Sequence, residues 1–127
     1  MKMYDVITIF PEMFKSLSDF GITSRAFQKR LCDLRSWNLR EFSNLKSKVV
    51  DDHTFGGGAG MVLSPKPILN AIESAKKRQS DANAKKNLVV YMSPEGQNIT
   101  NKTLKFLSAT TISPELGTAF VTAVMML

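Results

Sequence analysis

The sequence predicts an α/β domain: a parallel sheet with flanking helices. Two apolar runs and the spacing between them carry that expectation. Residues 4–10, YDVITIF, are β-branched and aromatic and read as a buried strand. Residues 87–92, NLVVYM, form a continuous apolar run of the kind buried on both faces of a parallel sheet. Segments with apolar residues at helical spacing lie between and after these runs, and strands alternating with helices favour parallel pairing.

Each element follows in order. Pro11 and Glu12 suit the first turn of a helix, because proline needs no donor there and a carboxylate complements the positive helix end. Met13, Phe14 and Leu17 continue that helix at helical spacing, Gly21 ends it, and Thr23 or Ser24 can cap a second helix running to about Leu31. LRSWNLREF, Leu34 to Phe42, mixes large apolar and polar residues and is a second strand candidate. Ser64 and Pro65 open a further helix with Ile68, Leu69, Ile72 and Ala75 as its apolar stripe. KKRQSDANAKK, Lys76 to Lys86, is polar without periodicity and reads as a solvated loop. After NLVVYM, SPEGQN is a turn, and Thr100 or Asn101 starts a helix carrying Leu104, Phe106 and Leu107.

Composition narrows the function classes. With 127 residues, 43% hydrophobic and 22% charged, the chain has the make-up of one soluble globular domain. Its 17 Lys and Arg against 11 Asp and Glu leave a net charge of +6, which suits a polyanionic partner, since phosphates attract cations whatever the base sequence. A single cysteine, Cys32, excludes an internal disulfide and a multi-cysteine metal site. The first apolar run is broken by Asp5 and closed by Pro11, unlike a signal peptide, and no run approaches a membrane span; the expected location is cytoplasmic.

Two stretches hold candidate chemistry. In DDHTFGGGAGM, Asp51 to Met61, the glycines permit positive φ and close approach of a ligand. A phosphate-binding P-loop requires Lys and Ser or Thr after its last glycine, whereas Gly60 is followed by Met61, Val62 and Leu63. The dinucleotide fingerprint fails on spacing as well. Met61, Val62 and Leu63 are expected to dock the far end of the loop into the body, as suits a substrate-contacting segment. Asp51, Asp52 and His53 are adjacent on an extended backbone and cannot all face one ion, so no metal is expected; they read as a turn start or a hydrogen-bonding brace. The second stretch, YMSPEGQ, lies at the carboxyl end of the 87–92 strand, where open α/β sheets bind ligands, although S-P-E-G is also ordinary turn chemistry.

Taken together and in order, ITIFPEMF, DFGITSRA, SWNLREF, VVDDHTFGGGAGM and YMSPEGQ resemble the bacterial tRNA (guanine-N1)-methyltransferase family of the knotted SPOUT class, across about residues 4–108. The resemblance implies methyl transfer from S-adenosylmethionine to N1 of the guanosine just 3′ of the anticodon. It implies that Tyr91, Met92, Ser93, Pro94, Glu95 and Gly96 help hold the adenosyl moiety. It further implies that Gly57, Gly58, Ala59 and Gly60 lie beside the methyl donor and the target base, and that tRNA and a second copy of the chain are partners. The family usually carries proline where this sequence has Ala59, which implies a looser loop.

The resemblance breaks off near Ala109. Residues 1–110 are expected to form the N-terminal part of a SPOUT (trefoil-knot) domain with the knot incomplete, residues 111–127 a divergent apolar tail, and the family's C-terminal tRNA-binding domain is absent from this sequence. The tail reads either as a short strand or as the product of a frame change. In another frame, codons for Phe120 to Met126 allow Cys-x-Gly-Arg-Tyr-Asp, and the coding DNA decides between the two. The family's catalytic base would lie beyond residue 127, so no catalytic residue is assigned here. The alternative to an enzyme is an inactive fragment that at most binds RNA or a partner.

Overall fold

A computed structural model describes residues 2–44, 46–54, 56, 57, 59, 61–83, 86–92, 96–110 and 119–125. The predicted first strand is β1 (Lys2–Thr8), with Met3, Asp5, Val6, Ile7 and Thr8 buried. Pro11–Phe14 form a 3-10 turn led by the proline, and α1 (Lys15–Asp19) continues it. Gly21, at φ +73°, turns the chain into α2 (Gly21–Gln28). Thr23 and Ser24 are therefore inside α2 rather than at its cap: Thr23 Oγ1 donates back to the Phe20 carbonyl at 3.2 Å, and Ser24 is buried. A glycine-only turn starts this helix ahead of the polar residues that looked like its cap.

LRSWNLREF divides between strand β2 (Cys32–Asn38) and a 3-10 turn, Leu39–Phe42. Asn38 makes the division, its side chain accepting from the Arg40 N–H at 3.1 Å. β3 (Asp51–His53) and β4 (Met61–Leu63) form an antiparallel hairpin, and α3 (Pro65–Asp81) follows with Pro65 at its first position. β5 (Lys86–Met92), α4 (Asn101–Thr110) and β6 (Ala119–Met125) complete the chain of elements. Thr100 caps α4 by accepting from the Thr103 N–H at 3.2 Å.

The larger sheet has the order β2-β1-β6-β5 and is parallel throughout. The apolar tail thus supplies a central strand: Val6 aligns with Ala123, and Val90 aligns with the same residue from the other side. Parallel β5 was expected to be buried on both faces, but it is the last strand of the sheet. Val89 and Tyr91 on it are 37% and 55% exposed. An apolar run reports strand character without reporting whether neighbours cover both faces.

The core lies where α3 crosses the sheet. Ile7, Leu39, Val50 and Ala71 are buried together, with Trp37, Phe42, Leu63 and Ile68 among the side chains packed around them. Ala71 and Ala75 are fully buried, and their small size lets α3 approach β1 closely.

α3 also overturns the reading of residues 76–81 as loop. Its buried positions Pro67, Ala71, Ala75 and Gln79 recur every four residues, and the last is polar. Gln79 Nε2 donates to Asp5 Oδ2 at 2.7 Å, and Arg78 donates from one nitrogen to both Asp5 oxygens at 2.9 and 3.0 Å. Trp37 Nε1 donates to Asp5 Oδ1 at 2.7 Å, and Arg78 also bridges to Asp33. Asp5 has no exposed surface, so its charge depends on these partners. Arg35 lies over the Trp37 ring, 4.2 Å from its centroid, and helps hold the indole in place. The helix continues past Ala75 because a buried carboxylate on β1 needs its last turns.

Candidate functional site

The glycine stretch is the loop of the β3–β4 hairpin. Its flanking residues pair as Asp51 with Leu63 and His53 with Met61, and the Ser64 N–H extends the ladder by donating to the Val50 carbonyl at 2.7 Å. Ser43 Oγ, donating to the Val49 carbonyl at 2.6 Å, ties the entry strand to the 3-10 turn after β2. Of the two following side chains, Leu63 packs against the core, whereas Val62 is 43% exposed. Strict alternation along a strand explains why both cannot point inward.

Within the loop, Gly56 and Gly57 take φ +88° and +74°. A Cβ at either would meet no atom within 4 Å, so the glycines are needed for backbone conformation and no protein atom crowds them. Ala59 is exposed on a bend, and Gly58 and Gly60 lie outside the described residues. Asp51, Asp52 and His53 are all exposed, and Asp52 Oδ1 accepts from the His53 N–H at 2.7 Å, a local brace. Among the described residues, no group of three or more His, Cys, Asp and Glu is placed to hold a metal ion.

The second candidate stretch sits at the carboxyl end of β5. Tyr91 and Met92, its last two residues, are 55% and 36% exposed, and Gly96 is exposed at a bend; Ser93, Pro94 and Glu95 lie outside the described residues. Beside this strand end is a cleft of about 890 Å³ between β5 and the segment leading into α4. Val89, Tyr91 and Phe106 give it apolar walls, while Gln97, Asn98 and Thr100 bring amide and hydroxyl groups. That mixture of apolar wall and a few polar groups fits a flat heteroaromatic ligand, and the volume lies within the usual range for small-molecule sites. The stretch YMSPEGQ marks the strand end and includes Gln97, but not the wall residues Asn98 and Thr100; their signal is the short polar run between a strand and a capped helix.

A second, smaller pocket of about 510 Å³ lies over α2, bordered by Gly21, Ser24, Arg25 and Gln28. Elsewhere, burial raises the Tyr4 phenol above its usual range, with a smaller contribution from neighbouring Cys32, away from either candidate stretch. No helix among the described residues is long and apolar enough to cross a membrane.

Comparison with known proteins agrees with this layout. The family model described as tRNA (Guanine-1)-methyltransferase TrmD matches residues 1–112. A tRNA (guanine-N(1)-)-methyltransferase of Cupriavidus metallidurans is 47% identical over 105 residues, covering 83% of this chain and 40% of that protein. One from Janthinobacterium sp. (strain Marseille) is 44% identical over 99 residues, covering 78% and 40%. The crystal structure of tRNA (m1G37) methyltransferase from Aquifex aeolicus superposes with a TM-score of 0.73 at 26% identity, over 97% of this chain and 50% of that one. The structural likeness therefore runs past residue 112, where the family match stops, and takes in β6. This chain spans about 40% of the length of the curated relatives it matches.

Proposed function

The chain belongs to the tRNA (guanine-1)-methyltransferase family, and from that membership we propose that it serves methyl transfer from S-adenosylmethionine to N1 of the guanosine just 3′ of the anticodon in tRNA. The match over residues 1–112 carries this reading, and the cleft at the end of β5 supports it. Tyr91, Met92, Ser93, Pro94, Glu95 and Gly96 hold the adenosyl moiety, with Gln97, Asn98 and Thr100 along the same wall. The hairpin loop, Gly57, Gly58, Ala59 and Gly60, meets the flat target base. The net charge of +6 draws in the tRNA backbone. The protein works in the cytoplasm as a homodimer.

S-adenosylmethionine, when bound, supplies an electrophilic methyl group. Guanine N1 is a weak nucleophile until its proton is removed, which calls for a carboxylate held within hydrogen-bond reach. Asp51 and Asp52 are solvent-exposed, and one is engaged with the neighbouring backbone, so neither is positioned as that base. The base belongs to the part of the relatives that this sequence does not cover. On this reading residues 1–110 are a binding half and residues 111–127 a divergent tail, whose Ala119–Met125 strand joins the sheet.

A second reading is a catalytically inactive fragment that at most binds RNA or a partner, through the surface that the net charge of +6 makes basic. Calorimetric titration of the folded chain with S-adenosylmethionine separates the two. Micromolar affinity is the expected result and leads to a tRNA methylation assay. A folded chain that takes up no S-adenosylmethionine leaves RNA binding as its function.

A further inference from the structure

All four strands of the larger sheet start at one edge, and their register sets what stands there. Lys2 lies opposite Cys32, Met3 opposite Phe120 and Lys86 opposite Ala119, so Cys32, Lys2, Ala119 and Lys86 form one row across the sheet. With strands about 4.8 Å apart, the α-carbons of Lys2 and Lys86 are about 10 Å from each other. Two helices end at the same edge. Past α2, the Lys29 and Arg30 N–H groups donate to the Arg25 and Phe27 carbonyls at 3.0 and 2.9 Å, and Arg30 turns the chain at φ +54°. The Leu31 carbonyl then accepts from the Lys2 N–H at 3.1 Å, which ties that corner to the first residue of β1. At the end of α3, Arg78 bridges to Asp33, the second residue of β2, and so brings the exposed Lys76 and Lys77 just before it to this edge.

The amino edge of the sheet thus gathers Lys2, Lys29, Arg30, Lys76, Lys77 and Lys86, a large part of the chain's net charge of +6. Glu73 and Asp81 are the carboxylates on α3 near them, and Asp33 is taken up by Arg78. Among the described residues, no carboxylate forms an ion pair with Lys2, Lys29, Arg30, Lys76 or Lys77. The carboxyl end of a helix favours nearby cations, which accounts for those after α2 and in α3 but not for Lys2 and Lys86, which begin strands. The candidate chemistry stands elsewhere: the cleft beside Tyr91 belongs to the other end of the sheet. A strand of 7 residues at about 3.3 Å per residue puts about 20 Å between the two edges. Cations spread along a row and across two helix ends match an extended polyanion, whereas a small anion calls for donors converging on one point.

We propose that the amino edge of the sheet holds the phosphate backbone of tRNA, through charge and without reading bases, at a distance from where the methyl donor and target base meet. This placement rests on the reading of tRNA as the partner and deepens it by giving the backbone a position on the chain.

The test titrates fluorescently labelled tRNA with the 127-residue chain at several salt concentrations. Lys29→Glu with Arg30→Glu, and separately Lys76→Glu with Lys77→Glu, are each expected to weaken binding at least about tenfold. Each pair also flattens the salt dependence by about 2 in slope, one for each cation lost. Circular dichroism and the S-adenosylmethionine titration stay unchanged. Lys15→Glu with Lys66→Glu, the same change in charge on the first turns of α1 and α3, is expected to weaken binding by less than about threefold. A folded chain whose two edge variants bind tRNA as the parent does overturns the placement and leaves tRNA as the partner. Equal weakening by the Lys15 and Lys66 pair does the same, since the attraction is then one of net charge alone. A folded chain that takes up no tRNA overturns both. Phosphatidylglycerol vesicles bound through these lysines in place of tRNA assign the edge to a lipid surface and likewise overturn the placement. Methyl-donor binding is read in its own titration and stands or falls by itself.

Discussion

The two flanks of the sheet are built on different terms. On the β2–β1 side, α3 packs Ala71 and Ala75 onto the strands and closes a buried carboxylate with Arg78, Gln79 and Trp37. On the β5 side, apolar side chains face solvent around an open cleft. The first flank is closed by buried groups that bond to one carboxylate. The second is shaped by apolar groups that stay exposed to solvent. Stability is concentrated where the candidate site is not, as expected when binding surfaces are drawn from less-packed regions.

Substitutions on the closed flank should show the largest effects. Arg78→Leu removes the cation from a carboxylate with no exposed surface, and should cost about 3–5 kcal/mol in urea unfolding. A loss below about 1 kcal/mol would mean that Gln79 and Trp37 suffice for Asp5. Trp37→Phe keeps an aromatic ring against Phe42 and under Arg35 but deletes the Nε1 donor to Asp5. Its expected cost is about 1.5–3 kcal/mol, that of a hydrogen bond to a charged group. On the open flank, Leu104→Ser should change stability by no more than about 0.5 kcal/mol, because the side chain is half exposed. A much larger loss, measured in the same unfolding experiment, would show that α4 is clamped as firmly as α3 and erase the contrast between the flanks.

The legibility of these regions in the sequence follows the same division. Strands β1 and β5, the Ser64–Pro65 helix start and the Thr100 cap were readable because local chemistry specifies them. The end of α3 was hidden because its inward residues, Arg78 and Gln79, are polar, and periodicity counts only apolar ones. The clue lay far away in sequence, in Asp5 interrupting YDVITIF: a charge inside a buried strand requires a partner, but not one of known position. The position of β6 was equally non-local. Its composition left a strand as one of two readings, while its place between β1 and β5 depends on pairing with both. At the candidate site, the glycine loop and the carboxyl end of β5 were legible as segments, and their blocks in order carried the family. The hairpin that presents the loop was not, since β3 and β4 are three residues each and Asp51–His53 carries no strand signature.

The central place of β6 sets a clock on folding. β1 is made well before one of its two neighbours, β6, with Met3 opposite Phe120. At about 5–20 residues per second, that partner follows on the order of ten seconds later. During this interval β1 has one unpaired edge and β5 has no strand to join it to the rest of the sheet, a condition that invites pairing with other chains. A nascent chain of this protein is therefore expected to depend on being shielded until β6 has been made, and its yield in a cell to depend on the speed of translation as well as on the stability of the sheet.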